Sequence, residues 1–475
     1  MWEVDAQVGV HAYRNTPVMT PFVHRQAPAL ALATVVAVAL AACGGGEPVA
    51  VPGLAQRSAS HPPPAAEQTF TPVARVAVAS PVDPPPTTSG ATTTTEPPAT
   101  TVAPASAITA AGPATATLPN PVPVLAAVSG WPAFDLHLQT LLTAGSDAVS
   151  ATVLHNGEVV HEVALGHRTT SNDPVSIGDR FRVASISKVI TSITVLRLVQ
   201  AGRLDLDGPV GERLARRVGA VPSSGVAEIT PRHLLTHRSG FAQYEDLMFR
   251  REVESCDEAA ATGLRRPLER APGTTLRYSN LNFCLLGLLI EEITDRPYVD
   301  VVRDELLAPL GLDGMRLAGT FDVRDGDVEH RSVDGRNYME VLGAAGSWIA
   351  SPTDVATIID ALDTTTAGWK PLGSDLLAAM TAITVDPPAA VPADPGSVTT
   401  APAPPPARGY GMGLMIFGPG SYGHTGTLES THAMTARRTD GYTWAITVSG
   451  DQPSSSRDLA AIMDDAVRYA TVLTD

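Results

Sequence analysis

Ser185-Ile186-Ser187-Lys188 heads a strongly apolar run, Val189 to Gln200, that ends at Ala201-Gly202. Ile186, Val189, Ile190 and Ile193 recur at helical spacing, and further apolar residues fill the other faces. The run therefore predicts a buried helix with Gly202 as its stop. Ser185 and Lys188, three residues apart, fall on one face of that helix. An amine in apolar surroundings loses proton affinity and can act as a base toward a neighbouring hydroxyl. Lys188 and Lys370 are the only lysines in the chain. The far more numerous arginines keep their protons and could not replace such a base. The plain alternative is a surface lysine on the first turn of a core helix, and these four residues leave both readings open.

The chain of 475 residues has a formal net charge of -16 with its arginines scattered, which leaves no basic surface for nucleic acid. Near the N-terminus, Arg25 precedes an apolar run from Ala29 to Ala42. That run is too short to span a bilayer well and has the length of a secretory leader's core. It closes as Leu40-Ala41-Ala42-Cys43-Gly44, which resembles a bacterial lipobox, whose cysteine is lipidated and becomes the new N-terminus. An ordinary signal peptide ending near a cysteine is the alternative. Residues 1–43 are thus expected to be an N-terminal extension and lipoprotein signal peptide, with Cys43 as the lipidated residue. Residues 44–130 are rich in Pro, Thr, Ala and Ser, with Phe70 as their only aromatic. Such a composition cannot bury enough apolar surface to fold and predicts a disordered tether. The expected placement is a domain of residues 131–475 outside the bacterial cytoplasmic membrane, held to it by lipid. In an oxidising compartment Cys256 and Cys284 could pair; two unpaired buried thiols fit the sequence equally.

Within 131–475, Phe134 to Thr143 reads as a short helix. Val149, Ala151 and Val153 alternate, and Asn156-Gly157 joins them to a second extended run, Glu158 to Leu165, as a hairpin. Residues 212–382 are helical in flavour, with a short helix opening at Pro231, a buried one over Leu281 to Ile293 and another from Pro352 to Leu362. Residues 387–408, rich in Pro and Ala, read as an unstructured insertion. Tyr410 to Phe417 reads as a strand, and Met434 to Arg438 and Tyr442 to Val448 as a hairpin. A last helix carries Leu459, Ile462, Met463, Ala466 and Val467 on one face. Strands at both ends with helices between them imply an α+β fold: one antiparallel sheet built from both ends, covered by helices, with an inserted helical subdomain.

Five segments occur in order: Phe181 to Lys188, Leu204-Asp205-Leu206-Asp207, Leu234 to Gly240, Tyr278-Ser279-Asn280 and His424-Thr425-Gly426. This set resembles the serine β-lactamase and penicillin-binding-protein superfamily, in particular its class C-like branch of DD-peptidases and esterases. The resemblance covers about Trp131 to Tyr469 and implies a β-lactamase/transpeptidase-like fold. It also implies a serine hydrolase that cleaves an amide or ester of a small molecule or a peptidoglycan peptide. Ser185 would form the acyl-enzyme, Lys188 would take its proton, and Tyr278 would pass a proton to the leaving group. Asn280 would hold the substrate amide and Lys188. The amides of Ser185 and Thr427 would bind the oxyanion, with Gly426 permitting close approach and His424 and Thr425 lining the substrate.

His237 reads as scaffold and Cys284 as packing. Many β-lactamases carry lysine where this chain has His424, and the glycine-rich turn that often follows is replaced by Thr427-Leu428-Glu429-Ser430. A histidine facing a substrate carboxylate would make anionic substrates bind better as pH falls through its titration. Failing that, Arg437 or Arg238 would have to read the charge. The rival from another class is a binding or sensor domain on the same fold, weakly acylated or inactive. Neither metal-ligand spacing nor a phosphate-binding glycine loop stands out, so no cofactor is expected.

Overall fold

The computed structural model describes residues 130–169, 171–333, 335–385 and 408–472. The expected leader with Cys43, the 44–130 tether and all but the last residue of the 387–408 insertion lie outside the described residues. The strands are β1 (Ser146–His155), β2 (Glu158–Gly166), β3 (Phe181–Arg182), β4 (Arg316–Leu317), β5 (Trp348–Ala350), β6 (Gly409–Tyr410), β7 (Met415–Gly418), β8 (Ser421–Leu428), β9 (Thr431–Arg437) and β10 (Tyr442–Gly450). Seven of them form one sheet in the order β2-β1-β10-β9-β8-β7-β6. Its pairings are antiparallel, and the two ends of the domain meet within it, with Val149 opposite Val448. The first hairpin turns on Asn156 and Gly157, both at positive φ (53° and 88°), as a tight Asn-Gly turn requires.

The alternation of β1 divides two cores. Val149, Ala151 and Val153 pack with Trp444, Ile446 and Val448 beneath the helices Trp131–Ala144 and Asp458–Val472. On the other face Thr152 meets Thr353 of the Pro352–Asp360 helix, oxygen to oxygen at 2.8 Å. That side opens onto the larger core, where Ser187–Gln200 and Asn280–Thr294 are buried nearly all round. The expected architecture is therefore the observed one.

Some local expectations shift. Ser185 lies in a single 3₁₀ turn, Ala184–Ile186, that precedes the helix proper. Tyr410 to Phe417 is a hairpin, β6 to β7, because Gly413 turns the chain at φ 73°. A Cβ there would sit 1.9 Å from Ser192 Oγ on the Ser187–Gln200 helix, so this turn presses directly on that helix. A small sheet, β3-β5-β4, lies outside the sequence reading because β3 and β4 are two residues each.

Candidate active site

Three elements converge on Ser185. The first is its own turn, held by Val183 N–H to Trp348 O at 3.2 Å and by Trp348 N–H to Ser187 Oγ at 3.2 Å. Ala184 adopts φ 48°, a left-handed conformation that an L-residue holds only when its surroundings enforce it. The second is the N-terminus of Asn280–Thr294, with Tyr278 just before it. The third is β8.

Lys188 is fully buried, and its Nζ lies 2.9 Å from Ser185 Oγ, 2.8 Å from Asn280 Oδ1 and 2.8 Å from Ala345 O. Burial pushes this amine well below its ordinary pKa. A neutral amine has two N–H donors and one lone pair. Asn280 Oδ1 and Ala345 O can only accept, so they take the two hydrogens. The lone pair is left for the Ser185 hydroxyl. The helix Asn280–Thr294 reaches this depth because Gly287 lies against the Gly343–Ala345 turn, where a Cβ would come within 2.6 Å of Ala344 Cβ.

Tyr278 Oη lies 3.0 Å from Ser185 Oγ, and Lys188 Nζ sits 5.0 Å from the Tyr278 ring centre. Burial raises the phenol well above its usual pKa, against the smaller pull of its hydrogen bond with Ser185. Tyr278 therefore keeps its proton, and the lysine is the better base of the two. His237, read as scaffold, supports this tyrosine: the rings are 4.2 Å apart. Its Nδ1 accepts from Ser279 N–H at 3.2 Å and from Asn282 Nδ2 at 3.0 Å. Burial, then the nearby Lys188 and His424, hold His237 well below its ordinary pKa.

β8 pairs with β9 from Tyr422 to Leu428 but with β7 only as far as Gly423. Beyond that point no described strand lies along its other edge, and the Ser185 turn approaches there. A Cβ on Gly426 would stand 2.2 Å from Val183 O and 3.1 Å from Ala184 Cβ, so only glycine lets the two walls meet. Thr425 Oγ1 reaches Met415 Sδ at 3.6 Å. Ser456, absent from the sequence reading, donates to Gly426 O at 2.6 Å and lies 2.6 Å from Thr427 Oγ1. Fixing that carbonyl in a planar trans peptide also fixes the Thr427 N–H on the opposite side. The Thr427-Leu428-Glu429-Ser430 stretch is not a loop: Thr427 and Leu428 continue β8, and Glu429-Ser430 is the turn into β9.

The expectation for His424 is corrected. Its side chain is fully buried, with Nδ1 donating to Thr425 O at 2.6 Å and Nε2 accepting from Tyr410 Oη at 3.2 Å. Burial, with help from Lys188, pushes it down to about 3, so it does not titrate near neutral pH. Arg437 is paired with Asp363 and lines a separate cleft with Leu362 and Tyr422. Arg238 is buried and donates to Thr384 O at 2.5 Å. The thiol question is also answered: Cys256 and Cys284 are bridged, with Cα atoms 5.7 Å apart, one helical turn beyond Asn280. Ala345 and Tyr410 complete the list of unanticipated partners. One acts through its backbone carbonyl, which no side-chain pattern reveals, and the other lies beside the Pro/Ala-rich segment.

A family model described as Beta-lactamase matches residues 134–468. The chain belongs to the beta-lactamase family. Among curated members it is similar to Esterase EstB of Burkholderia gladioli, 31% identical over 193 residues, which is 38% of this chain and 48% of that protein. It is also 34% identical over 163 residues to Penicillin-binding protein 4 of Amycolatopsis lactamdurans, covering 32% of this chain and 40% of that one. The chain thus matches less than half the length of these curated relatives. Among solved structures, the D-amino acid amidase of Ochrobactrum anthropi SV3 with L-phenylalanine amide shares the fold at TM-score 0.56 and 21% identity, covering 72% of this chain and 98% of that one.

Proposed function

We propose that this beta-lactamase-family domain is a serine hydrolase that cleaves an amide or ester through an acyl-enzyme on Ser185. The observation that carries the reading is the fully buried Lys188 amine, 2.9 Å from Ser185 Oγ. Lys188 takes the hydroxyl proton as Oγ bonds to the substrate carbonyl carbon. The carbonyl oxygen, now an oxyanion, accepts from the N–H groups of Ser185 and Thr427. As the C–N or C–O bond breaks, the protonated Lys188 returns a proton through the Tyr278 hydroxyl to the leaving group. Water, activated by the same pair, then releases the acyl group. Asn280 orients Lys188 by its Oδ1 and has its amide nitrogen left for the substrate.

The test is covalent. Wild type mixed with a short-chain nitrophenyl ester or a fluorescent penicillin should gain one acyl mass. Ser185→Ala should gain none, lose turnover and keep its thermal unfolding. Turnover in Ser185→Ala close to wild type would exclude the mechanism.

The same proposal places the domain outside the cytoplasmic membrane on a lipid at Cys43. The Leu40-Ala41-Ala42-Cys43 motif and the Cys256–Cys284 bridge, which suits an oxidising compartment, support this. Cys43→Ser should move the protein out of the membrane fraction. Wild type recovered with soluble cytoplasmic protein sinks the placement.

A further inference from the structure

We propose that the Cys256–Cys284 bridge is a positioning element for the catalytic base, so that hydrolysis at Ser185 runs faster with the bridge closed than open. The inference rests on the hydrolase reading and adds a control over the same site. Lys188 is aimed at Ser185 by two acceptors, Asn280 Oδ1 and Ala345 O, each at 2.8 Å. Those acceptors belong to different elements, the helix Asn280–Thr294 and the turn Gly343–Ala345. Whatever fixes one element against the other therefore aims the amine.

The helix turns one face to this task. Asn280, Cys284 and Gly287 stand at i, i+4 and i+7 along it. Asn280 holds Lys188, and Gly287 meets Ala344 of the turn. Between them Cys284 is fully buried and bridged to the half-buried Cys256. Cys256 lies against the same turn: a Cβ on Gly343 would meet Cys256 Cβ at 3.5 Å, an ordinary contact. The segments leading into Cys256 and into the turn are also joined. Arg336 donates to Phe249 O at 2.6 Å, and Asn337 Nδ2 donates to Val253 O at 2.8 Å. The bridge thus closes a circuit that runs from Asn280 through both sulfurs to Gly343 and on to Ala345. Once it is open, the helix rests on the turn at Gly287, about two helical turns beyond Asn280.

The titratable groups that face Lys188 are Tyr278, His237 and His424. Burial keeps the phenol protonated and both imidazoles neutral, so the rate follows the charge of Lys188. Slack between the two acceptors opens a gap that is polar on both sides, which water fills. That water stabilises the ammonium and returns part of the proton affinity that burial removed. The amine then gains its proton at a higher pH, and activity is lost earlier as acid is added.

Cys256→Ala opens the bridge with little other disturbance, since it keeps the Cβ that meets Gly343 and leaves the Cys284 sulfur in place. With a neutral nitrophenyl ester, kcat/KM of the full chain should fall about tenfold on the acid limb. The limb should move to higher pH, and the loss should shrink above it. Cys256→Ala/Cys284→Val, which fills the place of the buried sulfur with carbon, should repeat the shift and covers a single variant that folds poorly. Met463→Ala, buried in the other core, is the control for lost stability and should leave the limb where it is. An unmoved limb in the bridge variants, whatever the size of their rates, overturns the inference while the hydrolase reading stands. No acyl mass gained at Ser185 by wild type itself sinks both.

Discussion

Two walls meet at Ser185, and each buries a basic side chain within reach of it at full depth: Lys188 on the helical side and His424 on β8. Both are held below their ordinary pKa chiefly by burial. They differ in what the surrounding acceptors leave over. Lys188 faces two acceptors and a hydroxyl, so its lone pair remains for the hydroxyl. His424 faces a carbonyl on one nitrogen and a phenol on the other, and nothing remains. A depressed pKa is therefore common to a base and to a strut. The valence left unspent is what separates the two.

The largest effect should come from breaking the helical wall. Lys188→Arg keeps a cation but cannot lose its proton, so acylation of a neutral ester should fall about 10²-fold or more. Stopped-flow burst kinetics with intact-protein mass would measure this. A loss below about threefold would mean that Lys188 is a strut as well. In wild type the acid limb of kcat/KM should report Lys188, with activity falling as the amine gains a proton.

The smallest effect on rate should come from the strand wall. His424→Asn should leave the midpoint of that acid limb unmoved, since the histidine carries no proton to lose between pH 5.5 and 8. Its signature belongs to stability instead. The folded pKa lies near 3, below the reference of 6.5, so the unfolded chain binds a proton that the fold refuses within that window. Stability attributable to His424 is complete above pH 6.5 and declines as pH falls, by about 1.4 kcal/mol per pH unit. Urea midpoints of wild type and variant from pH 7 to 5 should converge as acid is added. Parallel midpoints, or a displaced acid limb, would show that His424 titrates in the working range.

The sequence was most legible where periodicity and chain order agree. The apolar run after Lys188 gave its helix, Asn156-Gly157 its hairpin, and the paired terminal strands the sheet. The positions of Ser185, Lys188, Tyr278 and Asn280 also followed from motif order. Less visible was anything set by distance through space. Whether His424 faced substrate depended on Tyr410, which no spacing connects to it. The clamp of Ser456 on Gly426 joins residues from β8 and the loop before the last helix. The bridge between Cys256 and Cys284 had an equal rival until the two Cα atoms were seen side by side.

The pairing of β1 with β10 has a consequence for the order of events during synthesis. Ser150 and Thr447, linked across that pairing at 3.5 Å, are separated by 297 residues of chain. The β1–β2 hairpin therefore leaves the ribosome long before its partner exists, with one edge open. At about 5–20 residues per second, that edge waits on the order of fifteen seconds or more. The helical middle can collapse in the meantime, since its contacts are more local. The strand wall arrives late, and the catalytic cleft can close only once the final strands have been delivered. Lys188 is thus buried by the earlier half of the fold and given its purpose by the later half.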